Sequence, residues 1–366
     1  MVLPPLAIRR TLIAVTVFLL ATSILWWSLW SIAAGRYRGV IDGWIESGRA
    51  AGYQIDYTDR KLFGFPRHVI LRFTNLHWRN ADGIDFHTGD IDIGATPWEW
   101  QEFNAKFKNY AEINTPLDQD GHSLILAGNE GSAHVTLNED GYWKLSRMSL
   151  SGAKVGRAPD YLFLAEKLKF SAEKPDELPK SHKDTGLTLT GQADNVALPA
   201  SMPSPFGFGM KNLTMDLRVM GDVPDFRKKS SVETWNKDSG VVEFDNLHMD
   251  WGSLILTAKG TMGFDDELQP EGAFSSAIGN QEQVLKALMD NGFIAARQEE
   301  MLNSALSLFA KPSKNDDFEG VEVPIAVQLG GLFLGPVKVY SFPEIVWPEA
   351  IPVSPAPVSP PAAAPP

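Results

Sequence analysis

Hydrophobic and polar positions follow three different rhythms along this chain. The first is a mostly apolar run without a charge, 11–34, preceded by Arg9 and Arg10. As a helix rising about 1.5 Å per residue, 11–32 spans about 33 Å, and a bilayer's hydrocarbon core is about 30 Å thick. A secretory signal core holds only about 7–15 apolar residues. The pattern therefore predicts an uncleaved transmembrane anchor containing Thr11, Leu20, Trp26, Trp27, Trp30 and Ala34, although Ser31-Ile32-Ala33-Ala34 offers small residues that a signal peptidase accepts. From 35 to 52, Val40, Ile41, Trp44, Ile45 and Ala51 stand among polar residues, which predicts a short juxtamembrane helix weakened by its glycines.

From Tyr53 the rhythm changes to period two, the mark of half-buried strands. Val69-Ile70-Leu71-Arg72-Phe73, Ile91-Asp92-Ile93, Ala133-His134-Val135-Thr136-Leu137, Leu187-Thr188-Leu189-Thr190, Leu213-Thr214-Met215-Asp216-Leu217 and Leu254-Ile255-Leu256-Thr257-Ala258 all alternate. Asp-Gly at 82–83, 120–121 and 140–141 supplies hairpin turns between such runs. The third rhythm is helical. It predicts helices over 281–290, with Val284, Leu285, Leu288 and Met289 on one face and Asn291-Gly292 as a stop, and over 295–310. Strands over 323–329 and 337–342 follow, and 348–366 is a Pro/Ala-rich disordered tail. The fold class is mainly β with a few helices (α+β). We expect a cytoplasmic stub (1–10), the anchor (11–34), a juxtamembrane helix (35–52) and a β-rich domain (53–347), subdivided if at all near 180–200. That domain is read as a large curved antiparallel sheet, or an incomplete barrel or groove, with a helical pair inserted near 281–310. One echo stands out: Phe73-Thr74-Asn75-Leu76-His77 recurs as Phe244-Asp245-Asn246-Leu247-His248, which fits either chance or a repeated strand unit.

Charge and composition narrow the function classes. A net charge of −12 over 366 residues argues against a nucleic-acid partner, since phosphates are held by Lys and Arg. With no cysteine, thiol catalysis, thiolate metal sites and disulfides are all excluded. Basic residues nearly cancel across the anchor, with Arg9 and Arg10 before it and Arg36 and Arg38 after it. The short leading segment and the Trp26, Trp27 and Trp30 cluster at the far end favour an N-terminus in the cytoplasm and the bulk of the chain exported.

No residue pattern carries chemistry. None of the seven histidines stands in a metal-ligand spacing, and Asp82, Asp85, Asp90 and Asp92 lack the complete calcium loop. No Gly-x-Ser-x-Gly elbow and no nucleotide loop are present. We expect no enzyme, no cofactor and no metal. What remains is apolar surface, and Trp98, Trp100, Phe103, Leu254 and Leu256 are candidate lining of an apolar groove. A filled core and an open groove both require apolar alternate positions, so periodicity leaves both open, with Arg72, Asp85 and Thr190 near the boundary.

The anchor followed by Gly43-Trp44, Gly52-Tyr53, Tyr57 and Gly64-Phe65-Pro66, then the strand pair around 251–263, Leu268-Gln269-Pro270-Glu271-Gly272 and a helix from Gln281 to Asn291-Gly292, resembles the family of domain of unknown function number 2125. That resemblance implies a membrane-anchored envelope protein of Gram-negative bacteria without an assigned activity. The layout is similar, more distantly, to the AsmA and TamB group, whose β units form a lipid-carrying groove. Two expectations follow. One is a lipid or amphiphile module on the outer face of the inner membrane, with the bilayer and an acyl ligand as partners. The alternative is an anchored assembly protein that docks another envelope protein.

Overall fold

A computed structural model describes residues 5–116, 123–157, 160–226, 228–294, 311–312, 318 and 320–347. The anchor run and the segment after it form one helix, α1 (Pro5–Ala50). The helix survives its glycines because Tyr37, Ile41 and Ile45, spaced by four, share one face and pack against the sheet, while Gly35, Gly39 and Gly43 face open space.

Among the described residues, eighteen strands make one antiparallel sheet. They are β1 (Gln54–Asp56), β2 (Asp59–Phe63), β3 (Val69–Arg79), β4 (Asp85–Thr96), β5 (Glu99–Pro116), β6 (Ser123–Gly128), β7 (Glu130–Leu137), β8 (Trp143–Arg157) and β9 (Asp160–Glu173). After these come β10 (Thr185–Ala197), β11 (Gly209–Met220), β12 (Val242–Trp251), β13 (Leu254–Phe264), β14 (Pro270–Gly279), β15 (Lys311–Pro312), β16 (Gly320–Gln328), β17 (Gly331–Leu334) and β18 (Val337–Ser341). Helices α2 (Lys229–Lys237) and α3 (Gln281–Asp290) interrupt the series. The connectivity is a meander in chain order, except that β14 pairs directly with β16 and the two-residue β15 lies against β16. β1 and β2 lie end to end beside β3, and β6 and β7 share the space between β5 and β8. Among the described residues β1 and β2 pair only with β3, and β18 only with β17, so the curved sheet does not close into a barrel.

Period two now becomes a two-faced surface. Following directly opposed residues from strand to strand gives Leu71, Ile93, Ala105, Ala133, Met148, Phe170, Gly191, Met215, Leu247, Ala258, Ser276 and Val323 in one row. The adjacent row is Phe73, Ile91, Phe107, Gly131, Leu150, Leu168, Ala193, Leu213, Met249, Leu256, Ile278 and Val321. Neither row contains a charge. Its one hydroxyl, on Ser276, donates to the Val323 carbonyl at 2.6 Å. The opposite face reads Arg72, Asp92, Lys106, Ser132, Ser149, Lys169, Gln192, Thr214 and His248 over the same strands.

A line of left-handed residues creases the sheet. Asn75 (φ 51°), Asn109 (φ 76°), Gly152 (φ 60°) and Asn195 (φ 49°) sit at matching heights on β3, β5, β8 and β10. Such irregularities bend a strand and shift which residues face one side. Beside them on the inner face stand small residues, Thr88, Ala111, Ala153 and Ala165, exposed by only 0, 5, 1 and 3%.

The ends of the trough are covered by helices. Ile45 of α1 joins Ile55, Leu71, Phe73, Leu76 and Ile91 in a buried cluster at the first end. Val284 and Leu288 of α3 join Leu254, Ile278, Val323 and Val337 at the last. Between them, Leu150, Ala153, Ala165, Ala193, Val196 and Met210 form a cluster of lateral strand neighbours with no helix among its members. α2 closes one rim, with Val232 and Trp235 buried and the Trp235 indole donating to the Met220 carbonyl at 2.7 Å. The expected helix over 295–310 and the tail over 348–366 lie outside the described residues.

Candidate functional site: an apolar floor and an aromatic collar

The floor lies in mid-sheet, between the strands under α1 and those under α3. Met148, Leu189, Met215, Leu217, Phe244 and Leu247 are only half-buried there, and Phe170 is 41% exposed. Apolar side chains left this accessible in a contiguous band mark a surface that something apolar can cover. All three boundary residues fall on the other face. Arg72 forms a bidentate pair with Asp92 at 2.6 and 2.7 Å, and Thr190 sits opposite Ser171 and Asp216. Asp85 pairs with Arg79 and His77. No charge therefore interrupts the floor.

Charges on the outer face neutralise one another. The Asp92 carboxylate beside Arg72 pushes that guanidinium above its usual value. Partial burial pulls the Asp85 carboxyl upward, yet hydrogen bonds from His77 and Arg79 outweigh it and hold the group below the ordinary carboxylate range. Asp245 is held low by its hydrogen bonds from Arg218, at 2.7 Å each. The acidic cluster read in the sequence is thus spread over separate partners. Asp92 is engaged with Arg72, Asp85 with Arg79, and Asp82 lies in the turn beside Asn80.

The residues predicted to line a groove separate in space. Phe103 faces inward, opposite Ala95 and Val135. Leu254 is buried beneath α3 and Leu256 packs against the same cluster. Trp98 lies apart from the inner rows, at the β4–β5 turn, and the side chain of Trp100 is outside the described residues. Trp98 belongs instead to a collar around α1. Its ring lies 5.8 Å from that of Trp26, and Phe65 sits edge-on to Trp30 at 5.5 Å. The Trp26 indole donates to the Pro66 carbonyl at 3.0 Å and the Trp30 indole to the His68 carbonyl at 2.8 Å. Sequence reasoning placed Trp26 and Trp30 in the anchor and Trp98 in the groove without joining them. The aromatic turns Gly64-Phe65-Pro66 and Pro97-Trp98 were the available signal.

Helix α1 is, from Arg10 onward, long and apolar enough to cross a membrane. The molecule is thus a β-rich protein with an N-terminal candidate anchor helix and one large, open, curved sheet. The chain belongs to a family described as uncharacterized protein conserved in bacteria (DUF2125), whose profile matches residues 30–343. No curated protein and no solved structure matches it, so the more distant likeness to the AsmA group is not shown.

Proposed function

We propose that this is an envelope protein, held in the inner membrane by α1 with its sheet in the periplasm, that carries the acyl part of a lipid or other amphiphile on the inner face of the sheet. The observation behind this reading is the uncharged inner face, on which Met148, Met215, Leu217, Phe244 and Leu247 stay only partly buried and Phe170 is exposed in mid-sheet. At about 4.8 Å between strands, the four steps from β8 to β12 make an accessible floor of about 19 Å. An acyl chain laid on such a floor exchanges water contacts for apolar ones, at about 25 cal/mol per Å² buried. The absence of charge also favours it, since no buried carboxylate or amine has to be stripped of water.

A photo-crosslinking residue placed at Met215 or Leu247, in the full chain within its native membrane, tests the reading. Lipid adducts are expected at these inner positions at least tenfold above those at Thr214 and His248 on the outer face. With the crosslinker at Leu247, Met215→Asp directly opposite is expected to abolish the adduct. Equal lipid labelling on both faces, or none, would overturn the reading, and protein adducts on the inner rows would favour the docking of another envelope protein.

A further inference from the structure

We propose that the rim of the sheet beside α1, carrying Phe65 and Trp98, is a docking surface for the bilayer that α1 crosses, seated at headgroup depth. This rests on the reading of α1 as an anchor. From Thr11 to Trp30 the helix rises about 29 Å, close to the thickness of a hydrocarbon core. Trp26 and Trp30 then stand where indoles settle, at the membrane–water boundary. Their hydrogen bonds to the Pro66 and His68 carbonyls, at 3.0 and 2.8 Å, fix the β2–β3 turn at the same depth. Trp98 reaches that depth through its contact with Trp26.

The outward faces of these side chains are bare. Phe65 is 50% exposed, Trp98 53%, Trp27 58% and Phe63 38%. Charge sets the extent of the surface. The turn at 64–68 holds Arg67 and His68 and no carboxylate, and 96–98 is uncharged. Two later turns on the same rim are acidic, with Glu139 and Asp140, then Asp265, Asp266 and Glu267. The loop at 174–184 is neutral, Lys174, Lys180 and Lys183 balancing Asp176, Glu177 and Asp184. Anionic headgroups attract the first group and repel the two acidic turns. The rim therefore touches the membrane at β2–β5 and leaves it with distance from α1.

The chain has no cysteine, so single introduced cysteines label uniquely. We would place an environment-sensitive fluorophore on Phe65→Cys, Trp98→Cys, Leu20→Cys and Leu329→Cys. The last lies at the β16–β17 turn of the same rim and is 84% exposed. The full chain is reconstituted in phosphatidylcholine–phosphatidylglycerol vesicles with brominated acyl chains. Quenching of at least twofold is expected at 20, 65 and 98 and none at 329. Arg67→Cys repeats the measurement with both aromatic residues in place. Quenching at 20 with 65, 67 and 98 as dry of lipid as 329 would overturn the docking surface and leave the anchor standing. No quenching at 20 would overturn both.

Discussion

At the residue scale the molecule depends on where side chains are missing. A Cβ on Gly131 would lie 2.5 Å from the Phe107 ring and 2.8 Å from Leu150, two neighbours in its own row. Gly131→Val is expected to destabilise the protein by about 1–3 kcal/mol through overpacking, read as a lower midpoint in thermal or denaturant unfolding. Asp245 makes a pH prediction. Its folded pKa is depressed by Arg218, so the pair's contribution is complete above the unfolded value near 4 and is lost as pH falls through the lower folded one. Both groups are partly exposed, 34 and 48%, which limits the pair to about 1 kcal/mol or less. Asp245→Asn should lower stability at neutral pH, and its deficit against wild type should shrink as pH falls below about 4, as denaturant titrations across that range would show. Residue identity also explains the recurrent Phe-x-Asn-Leu-His. Strict alternation puts Phe73 and Leu76 on opposite faces, yet both are buried on one side because Asn75 adopts φ 51°. Phe244 and Leu247 share the inner face through a bulge between them. The echo marks an irregularity needed twice, and period-two reading has no means of seeing it.

At the element scale, strands and the turns at 82–83 and 140–141 were legible because alternation and Asp-Gly are local signals, while 120–121 lies outside the described residues. The helicity of 35–50 was legible too, but its continuity with the apolar run before it was not, since that depends on Tyr37, Ile41 and Ile45 finding a partner surface in the sheet. α2 escaped notice because nine residues with Val232 and Trp235 buried give too short a pattern. The covering of the two ends by separate helices has a measurable consequence. Ile45 is 4% exposed in a cluster that shares no residue with the one under α3. Ile45→Asp, which buries an unpaired charge, is expected to cost more than about 2 kcal/mol locally. Amide hydrogen exchange should quicken in β1–β4 and stay unchanged in β13–β16. Equal acceleration throughout would mean that the ends are coupled more tightly than their clusters indicate.

At the scale of the whole molecule, the sequence made the two faces of the sheet readable but not what lies over them. Alternation is the same for a covered layer and an open one. Openness was decided by the meander and the crease, which bury Ala153 and Ala165 at the corner while leaving Phe170 accessible beside them. The aromatic collar was hidden for a different reason. Trp26 and Pro66 are forty positions apart, and only the docking of α1 along the first strands brings them together.

The pairing of the full-length strands with their neighbours in sequence bears on how the chain is made. Each rung needs only the rung before it, so loop-closure cost stays low at every step and structure can grow from one end, as in repeat arrays. A polypeptide delivered from its N-terminus would form its first rungs against α1 while later strands are still to come. Assembly of this kind is vectorial. Premature stops after β14 should leave β1–β9 as protease-resistant as in the complete chain, a result that limited digestion of such truncations would reveal.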